Sequence, residues 1–389
     1  MKNPPHSSAR ESGIERQAPE VLLAILTDLS VDHRCFKLAT TLKGMGFRPV
    51  IYCDKPLHAP GPAWDAFEIR VLTRESHARR FMPVFLAYLL RLTPVLWTTR
   101  ARLWISLDAP PLFWLAFWGK LRGRKVVYDS HELFAETPMV RGRLLRRLFW
   151  TAWERGGFAL IRRAITISPT VLERLRARNP SVRFHLLPNM PIRSGDPVRP
   201  AAKPPFPEGP GASEPMRLVY QGGLRAAAGL HEVLEALKTR PAYTLDIYGG
   251  GSEERVLRER ASAQALAGRV RFHGSVPFEA LEAKMRVAHL GLNVVQPVCE
   301  SFALTWANKI FDYAHTLCPV LLSENPAHRI LLDEFKIGVT VDSFSAESVG
   351  EGLDRLRANY AFHFEECLRA REAWHWDAYA EGLREFMES

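Results

Sequence analysis

The segment LVYQGGLRAAAGLHEVLEALKTRPAYTLDIYGGG, residues 218–251, runs from an apolar strand through a glycine pair and an amphipathic helix, His231–Lys238, into a second strand that ends in three glycines. A continuous apolar run reads as a strand covered on both faces, and strand, helix and strand in that order make a parallel crossover. The unit recurs. Strands fall near 217–221, 243–248, 269–273, 289–294, 318–322 and 338–341, separated by amphipathic stretches such as Phe278–Val287 and Ala307–His315. Toward the N-terminus, the runs Val21–Thr27, Pro49–Tyr52, Leu103–Leu107, Lys125–Tyr128 and Ala164–Ile167 alternate with helical periodicity at 32–45, 77–98, 109–121, 140–162 and 169–178. The pattern predicts an α/β protein of two doubly wound parallel-sheet domains facing a cleft, with ligands in the loops that follow the strands.

The length of 389 residues agrees with two domains of roughly 100–200 residues each. With 47% hydrophobic and 24% charged residues, a disordered tail or a lone small module is excluded. Five cysteines (35, 53, 299, 318 and 367), with no CxxC or Cys/His cluster, form neither a disulfide framework nor a zinc site and suit a reducing cytoplasm. Residues 1–20 lack the apolar core of a secretory signal and read as a disordered arm. The most apolar segments, 81–99 and 103–119, are interrupted by Arg91 with two prolines and by Asp108 with two prolines, so no spanning helix is expected. The net charge of +10 is unevenly placed: residues 1–190 carry 30 Lys+Arg against 15 Asp+Glu, and residues 191–389 carry 22 against 27. Halves of opposite sign suggest domains with different partners. Between them, 188–215 holds 9 of the 28 prolines, a density that no helix or central strand survives. The expected domains therefore begin at 21 and at 216, with 188–215 as linker.

Four post-strand loops follow in order: LVYQGGL at 218–224, LDIYGGG at 245–251, VRFHGSVP at 270–277 and NKIFDYAHTLCPVLLS at 308–323. Glycine there permits close backbone approach and frees N–H groups to face phosphate, although any one such loop also reads as a plain turn. The first half contributes DHRCFKLATTLKGMGFRPVIY at 32–52, KVVYDSHELFAE at 125–136, ITISPTVLERL at 165–175 and LLPNMP at 186–191. Together these segments resemble the retaining nucleotide-sugar glycosyltransferases of the GT-B fold, family 4. The resemblance extends over nearly the whole chain after residue 20, including the terminal AWHWDAYAEGLREFM. It implies a Rossmann-like acceptor domain over 21–187 followed by a Rossmann-like donor domain over 216–373, a final helix at 374–389 returning to the first, a nucleotide-sugar donor, and no metal or other cofactor. On the donor side it implies Gly222, Gly223, Gly249, Gly250, His273, Ser275 and Asp312.

The chain departs from the family pattern at the diphosphate. Gly223 and Ala228 stand where the family usually carries an Arg and a Lys or Arg. Arg225, Lys309 and the amides that open the helix near Thr305 are the substitutes at hand, while Arg225 also reads as a solvated surface residue. In the family's Glu-x7-Glu element, Asp312 takes the second, ribose-gripping place and Leu304 the first, which contacts the transferred sugar. Leu304 cannot hydrogen-bond a hydroxyl. Glu300, four residues earlier, reads either as its replacement or as an exposed loop carboxylate. Some branches of the family carry NK followed by an aromatic and a carboxylate, as at 308–312 here.

His131 matches the family histidine that reaches the donor sugar and leaving group. Glu132 and Asp129 flank it as an orienter or a helix cap. Asp32 and Arg34, after the first strand, lie where acceptor and donor approach, with a plain helix cap the alternative for Asp32. The family's front-face displacement passes the acceptor's proton to the leaving phosphate, so no pair of glycosidase-type carboxylates is required.

Residues 79–164 hold 16 Lys+Arg, 5 Asp+Glu and 6 of the 10 tryptophans. Within them, RGRLLRRLFWTAWERGGFALIRRA at 141–164 fits docking on the anionic cytoplasmic face of a membrane and a glycan or lipid-linked acceptor; a core helix with a basic outer face is the alternative. Nothing marks a nucleic-acid interface. Two functions follow: a glycosyltransferase at the membrane surface, or a catalytically degenerate GT-B protein that binds a sugar nucleotide or a partner without transfer.

Overall fold

The computed structural model describes residues 18–29, 32–55, 61–73, 81–138, 140, 142–193, 215–276 and 278–388. Seven strands, β1 (Glu20–Ile25), β2 (Arg48–Cys53), β3 (Glu68–Val71), β4 (Leu103–Leu107), β5 (Lys125–Ser130), β6 (Arg163–Thr166) and β7 (Arg183–Leu186), form a sheet in the order β3-β2-β1-β4-β5-β6-β7. Six more, β8 (Met216–Gln221), β9 (Tyr243–Tyr248), β10 (Val270–Gly274), β11 (Leu290–Asn293), β12 (Val320–Ser323) and β13 (Gly338–Val341), take the order β10-β9-β8-β11-β12-β13. Neighbours pair in parallel, for example Leu22 with Val50, Tyr128 with Ala164, and Leu218 with Leu245. Both orders are doubly wound, so a crossover reverses beside β1 and again beside β8, where post-strand loops diverge and leave room for a ligand.

Met1–Trp104 and Ile105–Ser389 form two compact units. In the first, β1 and β2 are buried almost throughout, and the helix His33–Gly44 lays Cys35, Leu38 and Leu42 inward. Asp32 starts that helix by accepting from the Cys35 N–H at 2.8 Å. The helix Phe81–Thr98, with mean hydropathy 1.4, is the one helix among the described residues long and apolar enough to cross a membrane. It buries Val84, Phe85, Tyr88, Leu89, Leu92 and Leu96, and the Tyr88 hydroxyl donates to Tyr52 O at 2.9 Å, so one face belongs to the protein core. The apolar run 103–119 is divided between β4 and the helix Ala109–Arg122.

In the second unit, short polar signals set where helices begin. Ser168 caps Pro169–Arg178, Asn325 caps Pro326–Glu334, and Ser345 caps Ala346–Ala358; the first two have proline at the first helical position, where the missing N–H is not needed. The alternation along β12 sorts the core into two layers. Leu321 faces Leu230–Lys238 and Ala346–Ala358, while Val320 and Leu322 face Ile310, Phe311, Leu331 and Trp374. The chain end, helices Trp376–Ala380 and Leu383–Glu388, bonds to residues near β7: the Trp376 N–H donates to Pro191 O (2.8 Å), the Arg193 N–H to Asp377 Oδ2 (3.0 Å), and His185 Nε2 meets Tyr379 O (2.8 Å).

All five cysteines are free and buried. The expected N-terminal arm up to 17, and residues 194–214 of the expected linker, lie outside the described residues. Strands β3 and β7 are additions to the sequence-based expectation.

Candidate active site

Three loops on the donor side are joined through their backbones. The Gly222 N–H donates to Tyr248 O (2.9 Å), the Leu224 N–H to Gly250 O (3.0 Å), and the Gly249 N–H to Gly274 O (2.8 Å). This closeness requires glycine at 249: φ is +129°, and a Cβ would stand 2.0 Å from Gly222 O. Ser275 lies beside Gly250, its Oγ 3.8 Å from where a Cβ on that residue would sit. His273 stacks on Tyr248 at 4.5 Å and pairs with Asp246 at 2.6 Å.

Two cations converge on the glycine pair that follows β8. Lys309, from the helix Asn308–His315, holds its Nζ 4.2 Å from the centre of the Tyr220 ring, and a Cβ on Gly222 would lie 2.9 Å from that nitrogen. A Cβ on Gly223 would lie 3.1 Å from Arg225 Nε. The missing side chains at 222 and 223 are thus the room that Lys309 and Arg225 occupy. Burial, and next the Arg225 charge, push the Lys309 ammonium down to about 7, with Asp312 opposing. Asp312 accepts from Gln221 Nε2 at 2.9 Å, and the Tyr313 hydroxyl accepts from the Gln221 N–H at 3.1 Å, which fixes this helix to the end of β8.

The loop after β5 meets the same neighbourhood. His131 Nε2 lies 3.4 Å from Oδ2 of the fully buried Asp129, a partner that orients the ring. Burial, then the Asp108 carboxylate, pushes the Glu132 carboxyl up to about 7, against His131, Arg225 and a hydrogen bond from Ser301. Glu132 therefore joins the loop after β5 to the loop after β8 and to the short helix Glu300–Leu304. Asp108 holds φ at +63°, a conformation that costs a non-glycine residue about 1–3 kcal/mol. Behind it, burial and again Asp108 raise the Glu154 carboxyl to about 8, and the Tyr128 hydroxyl donates to Glu154 at 3.4 Å. The arrangement offers fixed cations to an anion and a histidine held by a buried carboxylate.

Residues 31–190 match the glycosyl transferase 4-like domain, and residues 206–373 match the glycosyl transferases group 1. The chain is a family 4-like glycosyltransferase of the GT-B fold. Among solved structures it is similar to the sucrose-phosphate synthase from Thermosynechococcus elongatus, with a TM-score of 0.73 and 16% identity over 95% of this chain and 98% of that one. WaaG, a glycosyltransferase involved in lipopolysaccharide biosynthesis, gives 0.70 and 16% over 94% and 99%. Anabaena HepE in complex with UDP and glucose gives 0.70 and 13% over 95% and 99%. No curated protein matches the chain in sequence.

In this glycosyltransferase the structure brings together Gly222, Gly223, Arg225, Gly249, Gly250, Ser275, Lys309 and Asp312, and Glu132, which feels both Arg225 and His131, ties His131 to this group. Other candidates are engaged differently. His273 is turned onto Asp246. Glu300 pairs with Arg174 at 2.6 Å. Thr305 closes the helix Glu300–Leu304 and does not open one; Thr305 and Ala307 hold extended backbone and the next helix begins at Asn308, so the expectation of helix-opening amides near Thr305 is corrected to that later start. Asp32 is a helix cap, and Arg34, on the same helix, is 3% exposed. Asp108, Gln221, Ser301 and Glu154 were not anticipated as site residues. Asp108 carried a usable signal, an acid directly after an apolar strand, as at Asp129; the other three are polar residues whose role depends on distant partners.

Proposed function

We propose that this glycosyltransferase moves a hexose from a nucleotide-sugar donor to a glycan or lipid-linked acceptor with retention of anomeric configuration, at the cytoplasmic surface of a membrane. The observation that carries the donor half is the convergence of Lys309 and Arg225 on Gly222 and Gly223. Two cations held beside open backbone form a receptor for a diphosphate, and they take the place of the basic pair that family members usually carry. The charge is supplied by side chains, so the proposed reaction runs without a metal. Asp312 holds the ribose, and Gly249, Gly250 and Ser275 line the nucleotide. His131, oriented by Asp129, faces the transferred sugar and leaving group, and the departing phosphate accepts the acceptor's proton. HepE was solved with UDP and glucose, which makes uridine diphosphate the first probe.

The acceptor half of the proposal rests on the helix Leu144–Leu160. Residues 142–149 are all exposed, and among them Leu144, Leu145, Leu148 and Phe149 alternate with Arg143, Arg146 and Arg147. Apolar side chains interleaved with arginine on one exposed turn suit an anionic lipid interface.

A thermal-shift panel of nucleoside diphosphates and sugar nucleotides tests the donor. A specific ligand at 100 times its Kd adds about 2.7 kcal/mol. A flat response to every nucleotide refutes it. For the acceptor side, pelleting with anionic vesicles is expected to weaken as salt rises and to fall in Leu145→Glu. Pelleting indifferent to both sinks the membrane reading.

A further inference from the structure

The helix Glu300–Leu304 follows β11, and the helix Pro169–Arg178 follows β6 of the other sheet. Three residues of the short helix, Glu300, Ser301 and Leu304, are engaged with the first half. The Glu300 carboxylate lies 2.6 Å from Arg174 and 3.7 Å from Arg178. The Leu304 carbonyl accepts from Ser168 Oγ at 2.8 Å and from Thr170 Oγ1 at 2.5 Å. The Leu304 side chain packs on the apolar cluster that contains Leu112, Tyr128, Leu133 and Val171. Ser301, 1% exposed, bonds Glu132.

These contacts bear on the altered carboxylate element. A leucine at 304 is a loss if the position faces sugar hydroxyls, but here it fills an apolar site on the other half. Glu300, the nearest carboxylate, is drawn in the same direction by two arginines. Helix 300–304 is therefore fastened at both ends, and Ser301 between them is set against Glu132 and, through it, Arg225.

We propose that Glu300 is a positioning residue: with Arg174, Arg178 and Leu304 it latches the donor-side helix onto the first half, and so aligns Ser301 and Glu132 with Arg225 for transfer. It does not contact the donor. The inference rests on sugar transfer from a bound nucleotide-sugar, and the two fail differently. A native chain that binds no nucleotide removes the donor reading and leaves the latch to be decided by hydrogen exchange.

The test is a double-mutant cycle on Glu300→Gln and Arg174→Gln in the full chain, read by kcat, donor KM and hydrogen exchange. Both carboxylate and guanidinium are part-exposed, at 31% and 44%, so the expected effect of each is modest: about a three- to ten-fold drop in kcat, with donor KM and nucleoside-diphosphate affinity shifted less than about two-fold. The double variant is expected to be no worse than the weaker single, and exchange in 300–305 to rise in both singles alike. Leu304→Ala, which removes the apolar end of the latch, gives the same signature with a larger drop. A ten-fold rise in donor KM for Glu300→Gln with Arg174→Gln silent would place Glu300 on the donor and overturn the proposal. So would additive losses, exchange unchanged in both singles, or a lowered Tm with kcat intact.

Discussion

Replacing Lys309 by Met separates what this side chain does for the fold from what it does for a ligand. Burial holds its ammonium down to about 7 against an ordinary value of 10.5, which converts to roughly 5 kcal/mol of cost for keeping the charge in place. The residue is only part-buried by solvent exposure, so screening at least halves that figure, and loss of the contact with Tyr220 at 4.2 Å returns about 1 kcal/mol. The net expectation is a variant more stable by about 1 kcal/mol at pH 6. The sign follows from proton counting. Between 7 and 10.5 the unfolded chain binds the proton that folded Lys309 has lost, so native stability rises with pH there, and the variant's advantage is full below pH 7 and gone above pH 10.5. Binding runs the other way. A diphosphate draws the proton back, so native affinity is flat below pH 7 and falls by up to about ten-fold per unit above it, whereas the variant is weaker by about 1.5–3 kcal/mol at pH 6 and nearly flat between 7 and 9. Differential scanning calorimetry and titration calorimetry with a nucleoside diphosphate at pH 6 to 9 measure both. A variant less stable at every pH, with native affinity and native pH slope, would refute the reasoning.

Gly223→Arg reinstates the usual family residue at a point 3.1 Å from Arg225 Nε; with the clamp already filled, nucleotide affinity is expected to fall several-fold by isothermal titration, while a ten-fold gain would favour the degenerate reading. Glu154→Gln is expected to raise Tm at pH 9 and to change it little at pH 4, because folded Glu154 keeps its proton to about 8 and the unfolded carboxyl loses it near 4.5, so native stability falls as pH rises through that window. His131→Ala is expected to lower transfer by at least about 100-fold with Tm within a degree or two of native, since the ring lies in a loop and not in the core; full activity with the true acceptor ends its catalytic assignment.

How far the sequence speaks depends on whether a residue's role is local. In the second sheet β8, β11 and β12 are legible as short apolar runs buried almost throughout, whereas the half-exposed edge strand β10 (VRFHG) is legible through the glycine loop that ends it. Strands β3 (EIRV) and β7 (RFHL) stand at the two ends of the first sheet, where one side lacks a neighbour, and their charged residues hide them from a search for apolar runs. The glycine loops are legible for a backbone reason, since Gly249 cannot carry a side chain wherever its partners come from. Arg225 and Lys309 could be nominated by elimination of the usual basic pair, but only the geometry beside Gly222 and Gly223 gives them a common target. The short helix is the opposite case. In sequence Leu304 is a defect in a carboxylate motif and Glu300 its obvious repair. Ser168, Thr170 and Arg174, more than 120 positions away, give both residues another task, and no local pattern connects the two segments. A motif that has lost its usual residue is therefore ambiguous between decay and reassignment until the replacement's partners are known. At 304 the partner is an apolar core, which a carboxylate would enter only at the cost of desolvating its charge, so the substitution and the latch require each other.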